Sequence, residues 1–187
     1  MLTLITGNKN KIKEVQSVLG DTFVTHDMDL PEIQSVDYKD VITAKLVEAR
    51  KHIKEGAIFV EDAGYTFEAL GKLPGPFSKF FIQELGCEGL YNLVSKLGNQ
   101  RATHTTNIGY MSEGGEVVFF TTKVEGSIVS PRGDGGFAYD PLFVPDGHTK
   151  TFAEMSEEER LLVKPRVAAS KLLKEYLVNV QGKSLTV

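Results

Sequence analysis

Short apolar runs alternate with longer stretches of helical period along most of the chain. Residues 2–6, LTLIT, are apolar and β-branched, which predicts a strand. In the GNKNKIKEVQSVLG that follows, Ile12, Val15, Val18 and Leu19 fall at helical spacing and Gly20 marks the stop. TFVTHDMDL, residues 22–30, predicts a second strand, and YKDVITAKLVEARKHI, residues 38–53, a second amphipathic helix. The apolar side of that helix is Val41, Ile42, Leu46, Val47 and Ala49. AIFVEDAG, residues 57–64, is an apolar run broken by two carboxylates, so it reads as a buried strand with a polar C-terminal end. Two helical segments are expected after GKLPGPF, residues 71–77. Residues 101–128 predict a long β-hairpin: Val, Ile, Thr, Tyr and Phe enrich both arms, and SEGGE makes the turn. Residues 130–147 form a turn-rich loop holding a short apolar strand, Leu142 to Val144. The last element is a helix of about 20 residues, from Ser156 to near Val178, in which Ser156 and Glu159 make a capping-box pattern.

Strands that alternate with helices at both ends, with a hairpin between, predict an α/β architecture with a mixed sheet. No repeat, low-complexity tract or Pro/Ser linker interrupts residues 1–187, which read as a single domain. The long hairpin would carry one lobe away from the other, with a cleft where strand C-terminal ends meet the lobes.

Composition narrows the function classes. Of 187 residues, 41% are hydrophobic and 25% charged, as in an ordinary soluble globular chain. A net charge of -4 argues against a sequence-blind nucleic-acid binder, which needs a basic surface. Cys87 is the one cysteine, so no internal disulfide can form and a reducing, cytoplasmic setting is expected. No apolar run reaches the ~18 residues of a membrane span, and the first residues lack the pattern of a signal peptide.

Four strings could carry chemistry. In TGNKNK, residues 6–11, a strand end runs through Gly7 into a helix start, a place where backbone N–H groups and the helix dipole attract anions. Gly7 permits a close backbone approach and Asn8 suits the N-cap. Lys9 and Lys11 put cations in a first turn that normally prefers acids, which a bound phosphate would balance. The spacing of a Walker A loop is absent. In FVEDAG, Glu61 and Asp62 are adjacent carboxylates, and Glu32 follows the preceding strand. Hard divalent cations take such oxygens, and such acids can also activate a water. Successive strand residues point to opposite faces, so Glu61 and Asp62 serve one ligand only if the strand ends between them. In LPGPFSKFF, Gly75 between two prolines makes a rigid turn, Pro76 can open the next helix, and Lys79 lies one turn in. In GGFAYDPLF, Phe137 or Tyr139 could stack on a nucleobase, and Asp140 could accept base or ribose hydrogens or hold a lysine. Arg160 and Lys164 are four residues apart, hence on one face of the last helix.

In order and at similar spacing, TGNKNK, LPE, EDAG, LPGPFSKFF, GGFAYDPLF and TFAEMSEEER resemble the inosine triphosphate pyrophosphatase (Ham1-like) family from Thr6 to about Tyr176. The resemblance implies an elongated two-lobed α/β fold with a central mixed sheet flanked by helices and a nucleotide cleft between the lobes. It implies a homodimer and Mg²⁺-dependent hydrolysis of ITP, dITP and XTP to monophosphate and pyrophosphate. Thr6, Gly7, Asn8 and Lys11 then resemble the triphosphate-binding turn, and Glu32, Glu61 and Asp62 the metal-binding and water-activating acids. Lys79 resembles the phosphate-side lysine and Phe137 the base-stacking aromatic, with Tyr139 and Asp140 beside it. Arg160 takes the place of a base-side residue that is usually lysine.

The chain also departs from that pattern. Where the family has Ser-His-Arg on its last helix, this chain has Lys164-Pro165-Arg166, and only the arginine is kept. Proline inside a helix costs about 3 kcal/mol, so the helix should kink near Leu161 or break and restart at Pro165. Lys164 either replaces the lost donor of the base pocket or relaxes its selectivity. Ala63 stands where serine is usual, and Ala138 where glycine is usual; Ala138 is strained unless its φ is negative. The expected activity is nucleotide-pool cleansing. The alternatives are a related pyrophosphatase with a relaxed or pyrimidine base preference, and a nucleotide-binding module with weak turnover.

Overall fold

The computed structural model describes residues 1–184. Its sheet has the strand order β2-β1-β3-β5-β6-β7, with β4 paired to β3. β1 (Leu2–Ile5) lies parallel to both β2 (Val24–His26) and β3 (Ala57–Phe67), with Thr3 opposite Val24 and Leu4 opposite Phe59. β4 (Pro74–Gly75) runs antiparallel to β3, and β7 (Phe143–Pro145) antiparallel to β6 (Val117–Ile128), so the sheet is mixed. β5 (Arg101–Met111) and β6 are the long hairpin, turning at residues 112–116 as the sequence predicts.

The chain forms two compact units. The first contains Met1–Asp62, Thr106–Thr122 and the chain from Arg166 on; the second contains Ala63–Thr105 and Lys123–Pro165. In the first unit the two-residue period of β3 sorts its side chains. Phe59 packs with Leu4, with Val15 and Leu19 of α1 (Lys9–Leu19), and with Ala169 and Leu173 of α5 (Pro165–Ser184). Ile58 and Val60 pack instead with Ile42, Leu46 and Ala49 of α2 (Tyr38–His52). The sheet therefore has α1 and α5 on one face and α2 on the other. In the second unit Tyr65, Phe67, Tyr139, Leu142, Phe143 and Phe152 form the core with Leu90 and Val94 of α3 (Ser78–Lys96).

Several boundaries differ from the sequence reading. The second strand shrinks to three exposed residues, ending before Asp27, whose carboxylate turns back against Gly7. β3 continues through Glu61 and Asp62 to Phe67, because each acid meets a cation on its own face of the sheet. The two helical segments expected after residue 77 are both present within α3, and they meet at Gly86, whose φ of 63° no helix allows. Pro76 does not open that helix: it precedes it by two residues, after a cis Leu73–Pro74 bond, and Phe77 is the N-cap. β7 lies one residue later than predicted.

The last helix breaks and restarts. α4 (Glu157–Val163) begins with the predicted capping box and ends at Lys164, which is extended at φ −64°, ψ 131°. That is the conformation proline imposes on its predecessor. Pro165 opens α5, where its missing N–H is no loss.

Candidate active site

The strand-to-helix turn at residues 6–11 is closed by its own side chains. The Asn8 carboxamide oxygen accepts the Asn10 and Lys11 N–H groups at 3.0 and 3.2 Å, and Thr6 Oγ1 accepts the Asn8 N–H at 3.2 Å. Such a cap contributes about 1 kcal/mol to a helix. A β-carbon on Gly7 would overlap the Asp27 carboxylate, so a larger residue there requires that side chain to move. Lys9 is exposed, whereas Lys11 turns inward. The Lys11 ammonium donates to the Glu61 carbonyl at 3.1 Å and pairs with Glu61 Oε2 at 2.9 Å.

Glu61 faces α1 and α5. Its carboxylate, 1% exposed, also lies 3.0 Å from Arg166 Nε, and Arg166 pairs in turn with Glu14 of α1. The Lys11 and Arg166 contacts to Glu61 are ion pairs rather than aligned hydrogen bonds. Burial pushes the Glu61 carboxyl upward, but Arg166 and Lys11 together outweigh it and hold the group below the usual carboxylate range.

Asp62, the next residue, faces α2. The Lys45 ammonium sits 2.7 Å from Glu32 Oε1 and 3.9 Å from Asp62 Oδ1. Burial raises the Asp62 carboxyl above its ordinary value; Lys45 and Lys11 oppose this, and Glu61 and Glu32 add to it. Neighbouring acids on one strand thus have opposite tendencies, one locked as an anion and the other a readier proton acceptor.

The structure does not gather Glu32, Glu61 and Asp62 into one ligand set. Among the described residues no three acid, histidine or cysteine side chains converge on a common point. The strand does not end between the two acids, so each serves its own face. Two carboxylates, Glu32 and Asp62, do approach a single positive centre, the Lys45 ammonium. Hard divalent cations take one or two carboxylates and fill the remainder with water and phosphate oxygens. This pair of donors fits such an ion.

The second unit holds the other predicted residues. Phe137 is half-buried, and its N–H donates to Asp140 Oδ2 at 3.0 Å. Gly136, at φ 74°, has no room for a β-carbon because the Asp140 carboxylate lies against it. Lys164 is 3% exposed; its ammonium is 3.0 Å from Asp140 Oδ2 and 4.8 Å from the centroid of the Phe137 ring. Arg160 donates to the Phe152 carbonyl at 3.3 Å and lies beside Gly135. Tyr139 is a core residue: it stacks on Tyr65, and its phenol donates to the Ser78 carbonyl at 2.8 Å. Lys79 is exposed in the first turn of α3, and Ala63 is half-buried in β3. Ala138 takes φ 53°, the one positive value outside glycine among the described residues, so it is strained as anticipated.

Sequence reasoning missed Lys45, Glu14 and Asp27. Lys45 and Glu14 had a legible signal, since each is a charge set among the buried positions of an amphipathic helix. Asp27 had none, because its contact with Gly7 depends on the pairing of β2 with β1.

A capped helix start beside a strand that gives one acid to each sheet face, every acid close to a cation, defines a charge-rich α/β site. Comparison with known proteins gives the family. The sequence model of the Ham1 family matches residues 2–176, and the chain belongs to that family. It is 37% identical over 179 residues to the inosine triphosphate pyrophosphatase of Schizosaccharomyces pombe, covering 94% of each chain. It is 34% identical to the protein of the same name from Kluyveromyces lactis, covering 95% of this chain and 96% of that one. The Staphylococcus aureus Ham1 protein has the same fold, with a TM-score of 0.82, 24% identity, and 96% of this chain and 99% of that one covered.

Proposed function

We propose that this chain removes noncanonical purine nucleoside triphosphates (ITP, dITP and XTP) by hydrolysis to the monophosphate and pyrophosphate. It is a nucleoside-triphosphate pyrophosphatase, a hydrolase of nucleotide metabolism, in line with its family and its curated relatives. The observation that carries the mechanism is the way β3 sorts two adjacent acids: Glu61 pairs with Lys11 and Arg166 on one face, while Asp62 shares Lys45 with Glu32 on the other.

In this reading the turn at Thr6, Gly7 and Asn8, with Lys11, receives the triphosphate; the family resemblance alone assigns Lys79 to phosphate. Glu32 and Asp62, with Glu61 behind them, would hold a divalent cation, for which we propose Mg²⁺. When bound, that ion would neutralise part of the phosphate charge. Asp62 orients a water and takes its proton as the water oxygen attacks the α-phosphorus. The bond from the α-phosphorus to the bridging oxygen breaks, and pyrophosphate leaves with that oxygen. Lys11 and Lys45 stabilise the charge that shifts onto the phosphates, and Arg166 fixes Glu61 so that Lys11 keeps its place. Phe137, Asp140, Arg160 and Lys164 are assigned to the base, with Tyr139 as the support behind them. The family resemblance supports a homodimer. Among the described residues no helix is long and apolar enough to cross a membrane, and the single cysteine suits a reducing cytoplasm.

Phosphorus NMR of ITP, XTP, dITP, GTP and ATP incubated with the protein and Mg²⁺ tests this reading. Pyrophosphate and monophosphate from ITP and XTP, with ATP nearly untouched, are expected. Orthophosphate, or no product from any of the five, would overturn it.

A further inference from the structure

We infer that Lys164 determines base preference and tilts it toward xanthine, the most acidic of the purine bases. This rests on the reading of Phe137 and Asp140 as base-side residues. Lys164 and Asp140 are each 3% exposed, and their ion pair at 3.0 Å is one of the most enclosed in the second unit. The ammonium also stands over aromatic faces, 4.8 Å from the Phe137 centroid and 5.5 Å from that of Phe152. It reaches this place because Pro165 keeps Lys164 extended between α4 and α5. Asp140 is itself fixed, accepting the Phe137 N–H at 3.0 Å.

The chemical consequence follows from charge. A lone buried carboxylate in this position would accept an N–H of hypoxanthine and repel a base that carries negative charge. Xanthine loses a ring proton near neutrality and is then largely anionic. Lys164 cancels the Asp140 charge and adds a charged donor for an exocyclic oxygen. Hydrogen bonds to charged groups are roughly twice as strong as neutral ones. An anionic base with two exocyclic oxygens gains more from that ammonium than neutral hypoxanthine with one.

The test compares the wild type with Lys164→Met, Lys164→Arg and the double variant Lys164→Met/Asp140→Asn, each checked by thermal melting. The first quantity is the ratio of kcat/KM for XTP to that for ITP with Mg²⁺. The second is the ratio of XMP to IMP affinity by calorimetry, which needs no turnover. The wild type should favour xanthine by about tenfold or more, Lys164→Arg should keep the preference, and Lys164→Met should lose at least tenfold of it in both ratios. The double variant carries no unpaired buried charge, so its lowered ratio cannot be attributed to misfolding. A folded Met or double variant with both ratios within about threefold of wild type overturns the inference. So does a wild type that favours ITP. A wild type that neither cleaves nor binds any of these nucleotides overturns the proposed function itself, which is a different result.

Discussion

Arg166 places its guanidinium Nε 3.0 Å from Glu61 Oε1, with 5% and 1% of the two side chains exposed. The same guanidinium pairs with Glu14, so one buried cation answers two buried carboxylates. Removing one partner of a buried pair leaves an uncompensated charge, which costs about 3–5 kcal/mol. Arg166→Met should therefore lower stability by about that amount in urea unfolding. Adding Glu61→Gln should recover part of the loss. A single variant within about 1 kcal/mol of wild type would show that the ion pair has no structural role.

The acids of the first unit are balanced by Lys11, Lys45 and Arg166. Chelation should abolish turnover and leave the fold standing. We expect no pyrophosphate release in EDTA and a melting temperature within about 2 °C of the Mg²⁺-loaded protein before substrate is added. A collapse of the melting transition in EDTA would make the metal a structural element, contrary to this reading.

Ala138 sits at φ 53° beside Phe137. The left-handed region costs a β-carbon residue about 1–2 kcal/mol, and glycine returns about 0.4–1 kcal/mol of that through the unfolded chain. Ala138→Gly should stabilise by about 0.5–1 kcal/mol, read as a higher urea midpoint. Ala138→Val should destabilise. If glycine lowers the midpoint, the backbone there is not strained.

Burial pushes the Tyr139 phenol well above the ordinary tyrosine range, and its O–H donates to the Ser78 carbonyl. As pH rises, the unfolded chain therefore loses this proton first. Stability is complete below the ordinary phenol value of about 10 and declines as pH rises through and above it. Tyr110 is also raised by burial and adds to the decline. Tyr139→Phe should lower stability at pH 8 by about 1 kcal/mol for the lost hydrogen bond. It should also make the fall between pH 9.5 and 11 shallower, as followed by urea midpoints. An unchanged alkaline slope would show that Tyr139 titrates normally in the fold.

Much of this arrangement was legible in the residues. The period of α1 and α2, the hairpin at 101–128, the Asn8 cap and the Ser156–Glu159 box all depend on local spacing, and all are present. Pro165 left two outcomes open, and the restart prevailed because proline fits the first turn of α5. What local spacing could not supply were the partners. Charges on a strand look like its end when read alone, and β3 passes through Glu61 and Asp62 only because Arg166 and Lys45 come from distant positions in the sequence. Tyr139 read as a candidate stacker for the same reason, since its burial depends on Tyr65 and Ser78.

The alternation along β3 also bears on how this protein can be altered. Phe59 and Glu61 answer to α1 and α5, whereas Ile58, Val60 and Asp62 answer to α2. The strand divides the packing neighbours into two sets, while Asp62 still feels the charges of Lys11 and Glu61 across it. A library confined to α2 around Lys45 samples the surroundings of the basic acid and leaves the Lys11–Glu61–Arg166 charge balance intact. A library on α1 does the reverse. Mutations drawn one from each half should combine nearly additively where they alter packing alone, and depart from additivity where both change the charge around Asp62.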